Sequence, residues 1–463
     1  MTLRDQRGLG LSTQNPKSVE RLERAVDLTA SYFVDPLATI QGAIDEDPSF
    51  VMGHCLRAAL AVMSSEKGAL PLIEESVSAI RRSPQANSRE RAHAKAASAW
   101  LAGDFERSVR FYNDILLDYP RDLVALQTAH IGDFLLGNSQ MLRDRVAQVL
   151  PYWDESVPGY GYVLGMYAFG LEEMGAYEHA EETGRRALEL SRRDAWAVHA
   201  VTHTFEMRGS LAKGIDFLTS RQPDWAPDNG FAFHNFWHLA LLHLDRGEHE
   251  RVLEIYDRHI RPRPTQIAYE NVDASALLWR LELRGVDVGE RWQAVADGWE
   301  GLSEEAFYAF NDVHAVIAFV GAGREKSLEK TMASLGRATA QSGTNGMMTR
   351  DVGLPLARAL VAFRQGDFSA AVELLRDVRT IAHRFGGSHA QRDLIHLTLV
   401  EAALRAGQSR LARALAAERT ALKPASPFNW LLSARALELD GDRAGAASAR
   451  KRQQGDVLRD ALV

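Results

Sequence analysis

The chain is 463 residues long, 46% hydrophobic and 25% charged, with a formal net charge of -7. That is the composition of a globular protein with ample core, and no block of like charge stands out, so nucleic acid is not expected as a partner. One cysteine, Cys55, excludes an intrachain disulfide and a cysteine-built metal site.

The first residues, MTLRDQRGLGLSTQ, lack the apolar core of a signal peptide. No apolar run approaches the roughly 20 residues that span a bilayer. No membrane association is expected, and a cytoplasmic location is. Residues 1–16 read as a poorly ordered tail, 17–454 as one helical array, and 455–463 as a second tail. Within the array Val, Ile and Thr never gather into alternating runs. Ala and Leu recur instead at helical spacing, which predicts an all-α chain.

Turn glycines punctuate the helices. They stand at 103, 137, 175, 209, 247, 285, 323, 366, 407 and 441, in steps of 34 to 43 residues. Each is expected to end one helix in a left-handed cap before the next helix starts. Small residues sit seven before the glycine (Ala96, Ala168, Ala240, Ala359, Ala434) and five after it (Ala180, Ala371, Ala412, Ala446). They let paired helices approach closely. Pro120 and Pro424 fall where a proline ends the second helix. A further pair is expected over roughly 51–80.

These offsets resemble those of the tetratricopeptide repeat. The resemblance implies an α-solenoid of helical hairpins, wound as a right-handed superhelix with a concave inner face. A narrower likeness runs through SRERAHAKAASAWLAGDF (88–105), YVLGMYAFGLEEMGAYEHAE (162–181), DAWAVHAVTHTFEMRG (194–209), FHNFWHLALLHLDRGE (233–248), IYDRHI (255–260), FNDVHA (310–315) and GGSHAQRD (386–393). In these segments the chain resembles the tetratricopeptide repeat protein 38 family. That likeness implies a fold and a set of positions, and no reaction.

The tetratricopeptide resemblance also places the first helix of each pair on the inner face. With the turn glycine as position 15, the inward positions are 2, 5, 9 and 12. Trp196, His199, His203 and Glu206 fall on those four. His234 and Trp237 fall on 2 and 5 of the next repeat, with His238 at 6. Asp312 and His314 take 4 and 6 of a later repeat, and His130 takes 8 of an earlier one. His199 with His203, and His234 with His238, are four apart, so each pair shares one helix face.

Three readings of this cluster stay open. His199, His203, His234 and His238 are candidate ligands of a divalent metal, zinc or similar, because paired imidazoles on one helix face are a standard metal offer. A metal-free pocket for a small molecule is the second, with His203 as base, Glu206 or Asp312 orienting it, and His238 as a further catalytic candidate. The third is structural: histidines satisfied by hydrogen bonds between helices. His130, Trp196, His199, His234, Trp237 and His314 are the candidate ligand-binding residues. His389 and Arg392 join them from GGSHAQRD, where Ser388 and Gln391 read as a capping box and Arg392 as an anion clamp. No cofactor other than a metal is indicated. The function expected is small-ligand binding in a His- and carboxylate-rich pocket, with hydrolase or lyase chemistry if there is catalysis. The alternative is a scaffold that holds a partner peptide in the groove. Whether the chain is an enzyme, and its oligomeric state, stay open.

Overall fold

All ten turn glycines adopt left-handed backbone, with φ between 64° and 84°. Each therefore ends a helix in the left-handed region that residues with a Cβ rarely adopt, as the spacing predicts. The computed structural model describes residues 3–461, with side chains through 455. Its helices pair about these glycines, from Ser88–Leu101 with Phe105–Asp118 to Pro427–Leu439 with Arg443–Ala461. The expected earlier pair is Val51–Met63 with Leu70–Arg82, and another precedes it, Pro16–Ser31 with Pro36–Glu46. Among the described residues no strand forms beyond two isolated bridges. The architecture is an all-α, tetratricopeptide-like solenoid. No described helix is long and apolar enough to cross a membrane.

The small residues do what their spacing predicts. Ala96, Ala168, Ala180, Ala240, Ala359, Ala371, Ala412, Ala434 and Ala446 are all buried where paired helices meet. The stretch 1–16, expected as a loose tail, instead packs down from residue 3. Leu11 is fully buried, Arg7 pairs with Glu23 at 2.8 Å, and the Ser12 amide donates to Glu90 at 3.1 Å. The stretch 455–463 lies almost wholly outside the residues whose side chains are described.

The chain divides into two compact units. Unit 1 comprises 1–201, 223–231 and 342–345, and unit 2 comprises 202–222, 232–341 and 346–463. Unit 2 folds back on itself. Trp279 Nε1 donates to Thr398 Oγ1 at 3.0 Å, and Arg280 donates to the carbonyls of Ala390 and Gln391 at 2.8 and 3.2 Å. Ser426 donates to Asp245 at 2.7 Å. These bonds join segments more than a hundred residues apart and bring early and late repeats of the unit together.

Candidate functional site

The helix Ala195–Arg208 gives its first residues to unit 1 and its last to unit 2. In unit 1, Trp196 Nε1 donates to His130 Nε2 at 3.2 Å. Tyr32, Phe169 and Phe231 surround Trp196, with ring centroids 4.9 to 5.5 Å away. His199 packs on Phe169 and Phe231 at 5.1 and 5.2 Å. Burial, helped by Arg145, holds His130 down at about 3, so it stays neutral and accepts. These three predicted residues form an aromatic cluster.

Unit 2 assembles a different set. His234 Nδ1–H donates to Asp273 Oδ2 at 2.7 Å, and His238 Nδ1–H donates to Glu206 Oε2 at 3.0 Å. A carboxylate only accepts, so both rings carry their proton on Nδ1. Their Nε2 atoms then face each other at 3.3 Å. Lys423 Nζ closes the row 3.7 Å from Glu206 Oε1. The result is a chain Asp273–His234–His238–Glu206–Lys423. The His203 ring lies 4.3 Å from that of His238 and 5.5 Å from that of His389. Trp237 stacks on His234 at 5.4 Å, and the Arg280 guanidinium lies 5.2 Å from the Trp237 ring.

The cluster is deep. His203, His238 and Trp237 have no exposed surface, and His234 and Glu206 are nearly closed off. Burial, then the neighbouring His203 and His234, push the His238 pKa well below the ordinary imidazole value. An added proton on His238 is therefore disfavoured.

The remaining candidates stand apart in role. His314 donates Nδ1–H to the Phe310 carbonyl at 2.8 Å, and burial holds it at about 4. Asp312 is buried in the first turn of the helix Ala309–Ala322. Arg392 donates to the carbonyls of Gly386 and Gly387, in the loop just before its own helix. Ser388 and Gln391 form the capping box that their spacing predicts. Glu206 accepts from His238. Asp273, which holds His234, is absent from the candidates the sequence offers, as are Lys423 and Arg280. One signal for Asp273 was present: it lies 39 residues after His234, one repeat further on, and so on the neighbouring inner helix.

No family model matches the chain. Among solved structures, the human IFIT1 dimer with m7Gppp-AAAA is similar over 98% of this chain and 96% of its own, at 13% identity and a TM-score of 0.44. The same human protein with PPP-AAAA aligns at 12% identity and a TM-score of 0.42. Yeast Tom70 aligns over 97% of this chain and 96% of its own, at 10% identity and a TM-score of 0.33. The likeness is one of helical-repeat architecture. It corrects the expectation that excluded nucleic acid, because a solenoid of this kind was solved with nucleic-acid ligands. The physical reason is that charge counted along the sequence misses residues that distant repeats bring to one surface.

Proposed function

We propose that unit 2 holds a divalent metal ion of the zinc class between His234 Nε2 and His238 Nε2, in a tetratricopeptide-like protein that binds a small molecule there. The observation that carries this reading is the 3.3 Å separation of the two Nε2 atoms, with each Nδ1–H held by a carboxylate. Two imidazole nitrogens at about 2.0–2.1 Å from one tetrahedral ion stand roughly 3.3–3.4 Å apart. Carboxylates behind metal-bound histidines fix the tautomer and raise ligand basicity, which is the part Asp273 and Glu206 are placed to play. Without a cation or a shared proton, two lone pairs would oppose each other inside a closed core.

A bound metal supplies Lewis-acid chemistry and a water ionised near neutral pH, for which hydrolysis is the matching reaction class. Membership of the tetratricopeptide repeat protein 38 family is part of the same proposal, and it rests on the segments quoted above. A reducing, cytoplasmic setting fits a chain whose one cysteine is buried.

The test is a zinc titration of metal-stripped protein, read by competition with a chromophoric chelator. Saturable uptake that His238→Ala abolishes, with helicity retained, is the expected result. No saturable uptake, or uptake equal in the variant, overturns the proposal.

A further inference from the structure

A second site in unit 2 is independent of the histidines. The turns at Gly247 and Gly285 and the helices His389–Arg405 and Pro427–Leu439 enclose a cleft of about 540 Å³. That volume lies within the range of small-molecule sites. Four guanidinium groups line it, those of Arg246, Arg284, Arg405 and Arg435, against two carboxylates, Asp245 and Glu401. Arg246 is paired with Glu248 at 3.0 Å, which leaves three guanidinium groups against the two carboxylates, a local reversal of sign in a chain of net charge -7.

The pairing inside the cleft leaves positive charge over. Arg405 and Arg435 share one partner, Glu401, at 2.8 Å each. Arg284 has no carboxylate within ion-pair distance among the described residues. Its Nη1 donates to the Leu244 carbonyl at 2.6 Å, and its guanidinium stacks 3.4 Å from the Phe428 ring centroid. Asp245 lies near enough to favour the charged guanidinium but makes no ion pair with it: one oxygen accepts from Ser426, and the other is shut away from solvent without a hydrogen bond. Burial accordingly pulls the Arg284 pKa down to about 9. Leu283, Phe428 and Leu431 give the same cleft an apolar wall.

We infer that this cleft binds a small molecule carrying an oxyanion, a phosphomonoester or a carboxylate, on an apolar body. Arg284, preoriented by Phe428 and the Leu244 carbonyl, takes the oxyanion through its remaining donors, since a guanidinium fork matches both groups. Arg435 and Arg405 add the charge that Glu401 leaves unbalanced. The apolar body lies against Leu283 and Leu431. The cleft draws its residues from repeats far apart in sequence, which is why no basic run announces it.

The test uses calorimetric titration of the full chain with phenyl phosphate, phenylacetate and inorganic phosphate. One-to-one binding of an aryl anion, at least tenfold tighter than inorganic phosphate, is expected. Arg284→Met should weaken it at least tenfold. Leu431→Trp, which fills the cleft and leaves every cation in place, should abolish it and serves if the first variant does not fold. Phenyl phosphate binding alone identifies a phosphomonoester ligand, and phenylacetate binding as tightly identifies a carboxylate. Failure of both aryl anions to bind saturably overturns the inference. So does inorganic phosphate binding equally well, or binding unchanged in folded variants.

Discussion

Asp194 shows how one residue ties local structure to stability. Its Oδ1 accepts from the amides of Trp196 and Ala197 at 2.9 and 3.0 Å and so caps the helix that carries His199 and His203. Its Oδ2 is buried without a partner, facing Gly165, where a Cβ would stand 2.6 Å away. Burial raises its pKa from 3.8 to about 7. The folded state thus keeps a proton that the unfolded chain has lost. The stabilisation is fully present below 3.8 and fades as pH rises toward 7, by roughly 4 kcal/mol in all. Asp194→Asn keeps the cap and the shape, so urea unfolding of the variant should lose less stability between pH 4 and 7 than the parent does. Equal slopes would show that Asp194 does not hold its proton. Asp273 offers a second test. Asp273→Asn should weaken zinc binding 10- to 100-fold while leaving both imidazoles in place, the usual effect of removing such a carboxylate. An unchanged affinity would take Asp273 out of the site. At this scale the histidines were legible, because a spacing of four fixes a shared helix face. Lys423 was not, because the partner it meets is chosen by packing between repeats, and Asp273 was readable only as lying one repeat beyond His234.

Helix pairs depend on backbone approach as much as on side chains. Gly170 lies on the helix Tyr160–Glu173 where it crosses Ser139–Val149, and a Cβ there would stand 2.5 Å from backbone atoms of Leu142 and Arg143. Those atoms cannot swing aside, so Gly170→Ala should cost at least the 1–3 kcal/mol typical of overpacking. Gly336, inside Glu325–Ala338, meets nothing within 4 Å. Gly336→Ala should therefore stabilise by about 0.4–1 kcal/mol, through lost freedom in the unfolded chain. Chemical denaturation of the two variants checks both signs. A neutral Gly170→Ala would mean that the helices have room to part. The repeat glycines were readable in sequence because a fixed period marks them. Gly170 carries no such mark, since the close crossing it permits exists only once the helices have packed.

Both units are built of tetratricopeptide-like helical hairpins, and the period of the turn glycines predicts that architecture from sequence alone. What the period does not encode is which repeats meet. Arg280 reaches the helix His389–Arg405, and Arg284 reaches Phe428, across more than a hundred residues. These contacts decide where charge and chemistry gather in unit 2: a histidine–carboxylate chain in the interior, and a cationic cleft beside the turns. The most direct measurement is the metal content of untagged protein, purified without chelators, beside its His238→Ala variant. Close to one equivalent of zinc or a related divalent metal per chain is expected, falling to background in the variant. A metal-free parent that also takes up no zinc on titration would contradict it.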